Sequence, residues 1–502
     1  MHKLAKLDIC LILCYIISMD SIGPKLDSAI ESLKAFRNEL YDSFPLRADA
    51  VMDLLDALIS GNNEQSVIEH SLNPLFRRQY GSLHDAIHSQ AQTGKELKKL
   101  QLLWMGLAAS CVPSPLKRPF YLLGIDTTGF PRPFAATLED RTVIYHPNPS
   151  AGNNPIQVGH VYSLVAALPE KDNPKTPPWI IPLNITRVSS DKSAIQVAVT
   201  QLNDLLGDAD LPFQGNLTAL TGDSAYGSPR LLSSMGGHPN LVVIARVRGN
   251  RKFYRQAQAA ASGEKGHPVW HGLEFRLNDQ YTWGWPDDSD SVPFKFSNGR
   301  EATIQIYAWD NLVMRGKHEL PMHEHPFTLA RIAISDTKGN AVFKRPLWLI
   351  VVGKRRQELT LADIYNAYRQ RYDLEHFFRY GKQKLLLTGY QTAEVRHEEN
   401  WAALVLLAYL QLYHMAALAG RWPRPWERNL PRYKNPEANG PASPSETRRD
   451  AARILREVGT PACDPKPRGQ APGRPQGKVL EKRARQSVIR KGKTPAQSRG
   501  AP

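Results

Sequence analysis

Three acidic side chains carry the chemical interest of this sequence. Asp126 closes a hydrophobic run in LLGIDTTGFP, Asp223 closes another in LTALTGDSAY, and Glu375 lies in YNAYRQRYDLEHFFRYGKQKLLL. A carboxylate at the end of a strand, beside a Thr, Ser or Gly turn, is fixed by the sheet while the loop leaves room for substrate, so it is well placed to bind a metal. Asp after a strand is also a common turn former or helix cap, so neither aspartate decides the matter alone. The stretch around Glu375 is more specific. Tyr368, Arg371, Glu375 and Lys382 stand at offsets 0, 3, 7 and 14, which at about 100° per residue fall within a helical stripe about 60° wide. Asp373 falls on the opposite side. A carboxylate between two cations, with a tyrosine above, suits a divalent metal and phosphate oxygens held together. The alternative is a solvated face on which Arg371 and Glu375 pair at i,i+4 spacing, stabilising by about 0.2–0.5 kcal/mol.

The spacing Tyr-x2-Arg-x3-Glu-x6-Lys resembles the YREK signature of bacterial insertion-sequence transposases of the DDE superfamily. IDTTG around Asp126, GDSAYG around Asp223 and the following IARVRGNRKFY extend the resemblance over residues 118–420. It implies an RNase H-like core in which Asp126, Asp223 and Glu375 are catalytic and bind two Mg²⁺ (or Mn²⁺) ions. Two such metals, about 3.5–4 Å apart, serve the attacking and leaving oxygens of an in-line phosphoryl displacement. Hard oxygen ligands suit these ions, and the lack of a Cys/His cluster argues against zinc. The resemblance also assigns Arg371, Lys382 and Tyr368 to phosphates near the transposon end, and implies a homodimer bridging two ends of double-stranded DNA. It points to a cut-and-paste transposase that cleaves DNA and transfers the freed strand. An RNase H-like nuclease without strand transfer and a catalytically inactive DNA-binding derivative remain open alternatives.

The elements that must position these residues can be read from periodicity. Residues 20–117 are helical: Leu26, Ile30, Leu33 and Leu40 share one stripe, and Val51, Leu54, Leu55 and Leu58 repeat the period. This amino-terminal domain is either a packing module or a DNA-contacting one, through basic patches at 76–78 and 95–99. From 118 the texture changes to short β-rich runs (PFYLLGID, RTVIYH, HVYSLVAALP, WIIPLNITRV), then a helix over 192–206, the strand LTALTGD, a short helix over 228–234 and the strand LVVIARVR. PLWLIVVG is a further strand, followed by a long helix from Thr360 to Leu387 and an apolar one from Glu398 to Ala419. The pattern predicts an α/β fold, a mixed sheet flanked by helices, over 118–248 and 346–420.

Asp223 and Glu375 are 152 residues apart, whereas the intervening core elements need only roughly 40–60. Residues 249–345, rich in strand formers and turns, are therefore expected to form an inserted β-rich domain. Family members carrying such an insertion use a hairpin intermediate, and a tryptophan from it is thought to hold a flipped base; Trp309 or Trp283 would fill that role here. Arg246, Arg248, Arg251 and Lys252 cluster at a strand end, either tracking DNA phosphates or serving as solvated loop charges.

Composition sets the remaining bounds. With 502 residues, 42% hydrophobic and 22% charged, the chain is neither disordered in bulk nor collagen-like nor a polytopic membrane protein. Its formal charge of +16 points to polyanionic partners. Most of that charge is local: 20 basic and 7 acidic residues lie from Arg421 onward, or +13 of the +16. Residues 421–502 thus read as a basic, largely disordered tail with a possible helix over 445–457, suited to DNA backbone affinity, transposon-end contacts or solubility. Four scattered cysteines give no disulfide framework and favour a cytoplasmic, nucleoid-associated protein without a membrane partner. Residues 1–19 have the layout of a signal peptide around ICLILCYII, yet lack a convincing cleavage site, and an over-extended reading frame is the preferred explanation.

Overall fold

A computed structural model describes residues 22–61, 63–145, 155–171, 176–257, 270–296, 298–430, 433, 441–467, 469, 473, 475–477, 479 and 482–490. The apolar start at 1–19 lies outside the described residues. Four helices come first, α1 (Ile22–Asp42), α2 (Ala48–Ser60), α3 (Tyr80–His88) and α4 (Gly94–Ala109). α1 buries Leu33, Phe36 and Leu40, spaced three and four apart on one face. α4 is started by a capping box in which Thr93 and Glu96 satisfy each other's backbone N–H groups.

An alternating region follows: β1 (Tyr121–Pro131), β2 (Thr142–Tyr145), β3 (Ile156–Ala167), β4 (Ile181–Val188), α5 (Ala194–Gly207), β5 (Thr218–Gly222), α6 (Pro229–Met235) and β6 (Leu241–Val247). Then come β7 (Lys252–Gln256), β8 (His271–Arg276), β9 (Asp288–Lys295), β10 (Glu301–Val313), β11 (Phe327–Asp336) and β12 (Leu347–Val352). The last helices are α7 (Leu361–Gln370), α8 (Tyr372–Lys384), α9 (Val395–Met415) and α10 (Pro444–Val458).

The fold is mixed α/β. Twelve strands form one sheet in the order β2-β3-β1-β5-β6-β12-β11-β10-β7-β8, with β4 added to β3 and β9 to β10. β1, β5 and β6 are parallel to one another, while β3 and β12 flank them antiparallel. Because β12 pairs with both β6 and β11, the strands between 249 and 345 continue the same hydrogen-bonded ladder. The helix expected from Thr360 to Leu387 is divided at Arg371, whose N–H bonds the Tyr368 carbonyl at 3.2 Å, a turn tighter than α-helical.

α9 runs through the interior. With its short extension, Val395–Leu418, it is long and apolar enough to cross a membrane, yet 83% of its most apolar window is buried inside the chain. It is apolar all round because β4, α2, α3 and α10 surround it. Its few polar residues are paired. Glu398, fully buried, meets Arg132 Nε at 2.6 Å, His160 Nδ1 at 2.6 Å and the Tyr162 hydroxyl at 2.9 Å. Burial pushes the Glu398 carboxyl up, but these hydrogen bonds and the Arg132 charge outweigh it and hold it below its usual range. Arg132 in turn donates to the carbonyls of Thr388 and Tyr390, so the network locks the end of β1 to α9 and to the chain that leaves α8.

After Gly420 the chain forms a helix where one was expected over 445–457, α10, and it is joined to the body of the protein. α10 presents Ala451, Ile454, Leu455 and Val458 on one buried face and packs on α2 and α9. Arg77 bridges Asp53 at 2.8 Å and Asp464 at 3.0 Å, and the Cys463 N–H bonds Asp49 at 2.9 Å. That short apolar stripe is enough to seat the helix. The basic patch at 76–78 is consequently engaged: Arg78 lies 3.3 Å from Asp53 and donates to the Cys463 carbonyl at 2.6 Å.

Removing Glu398 would leave Arg132 as a buried cation without its counter-charge. Glu398→Ala is expected to destabilise the protein by about 3–5 kcal/mol, read as a lower urea midpoint; a midpoint within error of the unaltered chain would show that the network does not hold α9 to the sheet.

Candidate active site

The sheet itself brings the two aspartates together. β1 and β5 pair in parallel from Tyr121↔Thr218 to Gly124↔Thr221. Asp126 and Asp223 each lie two residues beyond the last pair of this register, at the same end of the paired stretch. Asp223 then turns the chain, its carboxylate accepting the Ala225 N–H at 2.8 Å. Gly222 is required there, since a Cβ would come within 2.7 Å of Tyr226, which folds back beneath the aspartate.

The third carboxylate arrives on α8. Gly124 lets the helix approach, because a Cβ would sit 3.0 Å from Leu374, the buried residue next to Glu375. On the far side, Asp373 pairs with Lys171 at 2.7 Å, clamping the helix and removing Asp373 from the site. Arg371 lies between the faces: Nη1 reaches Asp126 Oδ2 at 3.0 Å and Nη2 reaches Glu375 Oε1 at 3.0 Å. One planar guanidinium thus joins the strand carboxylate to the helix carboxylate. Tyr368 lies against the same group, with the guanidinium carbon 5.8 Å from its ring centroid.

Electrostatics tie Asp223 into this cluster. Burial pushes the Asp126 carboxyl up to about 6; the Arg371 charge opposes the rise, and the Asp223 and Glu375 charges add to it. Burial also raises the Tyr226 hydroxyl, reinforced by Asp126 and Asp223. Tyr368 is raised by burial, opposed by Arg371 and Arg246, with Asp223 adding. Three carboxylates therefore share one partly buried space with a single paired cation. Lys382, on the same helix, is lowered by burial and has no ion-pair partner among the described residues.

Among the described residues, no three acidic, imidazole or thiol groups already stand close enough together to hold a metal ion. The donor set nevertheless fits one. Asp126, Asp223 and Glu375 offer only hard oxygens, and their combined negative charge exceeds what Arg371 alone neutralises.

The basic cluster divides in two. Arg246 and Arg248 are exposed at the end of β6, and the Arg246 charge reaches Tyr368. Arg251 instead packs over Phe253 and donates to Met314 Sδ at 3.2 Å, while Lys252 pairs with Glu274 at 2.7 Å.

Trp309 is 3% exposed and sits among Phe275, Trp283 and Trp348, so it is core rather than a surface for a base. Trp283 is also engaged, its Nε1 donating to the Arg276 carbonyl at 2.7 Å and its ring lying under Arg331. The most exposed tryptophan of this region is Trp285, at 92%, while Trp270, also exposed, stacks on His323 with ring centroids 4.1 Å apart. Gly284 and Pro286, a turn signal flanking Trp285, distinguish it in the sequence from Trp283 and Trp309.

A family model described as DDE superfamily endonuclease matches residues 39–315. The match covers just over half of the 502 residues; it includes Asp126 and Asp223 and ends before Glu375. No curated protein matches the chain.

The crowding of Asp126 has a measurable consequence. Its folded pKa of about 6 lies above its ordinary 3.8, so its stabilising contribution is full below about pH 4 and is lost as the pH rises through about 6, a span of at most roughly 3 kcal/mol. Asp126→Asn, which mimics the protonated form, is expected to match the unaltered chain near pH 4 and to exceed it by about 1–3 kcal/mol at pH 7. Lower stability of the variant at pH 7 would show that the Arg371 pair outweighs the crowding.

Proposed function

Because the chain belongs to the DDE superfamily of endonucleases, we propose that it is a transposase that binds the ends of a mobile DNA segment, cleaves them and joins the freed strands to a target. The observation that carries this reading is the Asp126–Arg371–Glu375 bridge with Asp223 beside it. The spacing of Tyr368, Arg371, Glu375 and Lys382 supports the insertion-sequence branch of the superfamily. We take 118–248 and 346–420 as an RNase H-like core and 249–345 as its β-rich insertion.

Asp126, Asp223 and Glu375 would hold two Mg²⁺ or Mn²⁺ ions. Bound there, the ions would supply Lewis-acid stabilisation of charge on the attacking and leaving oxygens. The chain's own groups do the rest. Arg371 and Lys382 take phosphate oxygens, Arg371 through a fork that matches two oxygens at once. Tyr368 adds a hydrogen bond beside them. Arg246 and Arg248 follow the backbone leading away from the site, with Arg251 and Lys252 behind them as secondary contacts. The partly buried setting strengthens each of these interactions where negative charge accumulates in the transition state. Water attacks first and frees a 3′-hydroxyl; that hydroxyl then attacks a phosphodiester of the target, breaking one P–O bond as it forms another. The exposure of Trp285 supports it, in place of the buried Trp309, as the side chain that would stack on a displaced base. A homodimer holds two DNA ends in one complex.

With DNA carrying inverted repeats that flank the gene, Glu375→Gln is expected to retain binding and lose Mg²⁺-dependent cleavage by roughly 10³-fold or more. Cleavage at the unaltered rate would exclude Glu375 from the site. Supplied with pre-cut ends and a plasmid, the unaltered chain is expected to form covalent joints; cutting without joining would reduce the activity to that of a nuclease.

A further inference from the structure

The most basic part of the carboxyl-terminal region holds a defined place on the sheet. Residues 482–490, KRARQSVIR, lie along the edge next to β2. The Gln486 N–H bonds the Ala136 carbonyl and the Ile489 N–H the Arg141 carbonyl, each at 2.8 Å. Arg141, itself buried, returns a bond from Nη2 to the Gln486 carbonyl at 3.0 Å. Ile489 bridges Thr142 in parallel, so the segment is pinned to the edge of the sheet by a single β-bridge beside these bonds. Arg483 is tied to Glu394 at the start of α9. Lys482, Arg485 and Arg490 are exposed and have no ion-pair partner among the described residues.

A tail needed only for solubility or diffuse attraction has no need of a backbone anchor. These bonds instead set several cations at a fixed distance from the carboxylates. Pairing runs unbroken from Pro131 to Gly159, from Gly159 to Thr142 and from Thr142 to Ile489. Five residues along β1 from Asp126 and three strand spacings across give roughly 20 Å. At about 3.4 Å per base pair this is near six base pairs of duplex.

We propose that residues 482–490 form a DNA-backbone clamp, annexed to the edge of the sheet, that grips phosphates about six base pairs from the cut. The clamp rests on the DNA-cleaving reading above and adds to it a second, fixed contact that reads no base. Its cations release counterions, so each phosphate held steepens the dependence of binding on salt by about 0.9 in log–log slope.

Two sets of variants test it in the full chain by hydroxyl-radical footprinting and salt titration of binding to DNA bearing the inverted repeats. In Lys482→Gln/Arg485→Gln/Arg490→Gln, the salt slope is expected to fall by about 2–3. Protection about six base pairs from the cut is expected to vanish while protection over the cut remains. In Gln486→Pro/Ile489→Pro, which removes both anchoring N–H donors and no charge, that distal protection is expected to vanish and the salt slope to fall with it although every cation remains; circular dichroism of both variants checks that the fold persists. Distal protection surviving the prolines would show that the sheet edge does not position the segment, and an unchanged slope and footprint in the charge variant would show that it does not touch DNA. Either result leaves the cleavage reading standing. If the unaltered chain protects no DNA at all, that reading and the clamp fall together.

Discussion

The Arg371 guanidinium reaches Asp126 with one nitrogen and Glu375 with the other, both at 3.0 Å, so a carboxylate fixed by the sheet and one fixed by a helix lie on either side of one planar cation. Much of the surrounding fold follows from the need to keep these groups there. Parallel pairing of β1 with β5 brings Asp223 and Asp126 to the same end of the paired stretch. Gly124 admits α8, Lys171 clamps its far side through Asp373, and the buried Arg132–Glu398 pair fixes the end of β1 against the central helix. A carboxylate held in a partly dry space is costly, and burial, with the Asp223 and Glu375 charges adding, pushes Asp126 up to about 6. A site that leaves negative charge uncompensated is prepared for a cation.

Much of this was legible in the sequence because the relevant signals are local. Asp126 and Asp223 follow apolar runs that could only be strands, and the stripe from Tyr368 to Lys382 needs nothing more than helical geometry. The division of that helix at Arg371 was not legible, yet it preserves the grouping, since Arg371 and Glu375 still face the same carboxylate. The pairing of β1 with β5 was beyond reach, because strand order, which brings the two aspartates to the same end of one paired stretch, is a non-local property.

The misplaced expectations share a physical cause. Trp309 and Trp285 are indistinguishable by residue type, but Trp309 points into an aromatic core and Trp285 into solvent, a difference set by which side of the chain faces neighbouring strands. Arg246, Arg248, Arg251 and Lys252 formed one cluster by proximity in sequence. Alternation along an extended chain and the arrival of Glu274 from β8 split them, leaving the first two exposed and engaging the others. The helix expected over 445–457 is present as α10, whereas composition hid the anchored stretch 482–490 inside a basic region, because averages over tens of residues cannot register backbone bonds.

Whether the three carboxylates act as one site is tested most directly by iron-directed self-cleavage, in which Fe²⁺ replaces Mg²⁺ and peroxide generates hydroxyl radicals where the metal is bound. Backbone cuts close to Asp126, Asp223 and Glu375 are expected together, all three suppressed by excess Mg²⁺. Cuts at only one of these positions, or at none of them, would contradict a shared metal site.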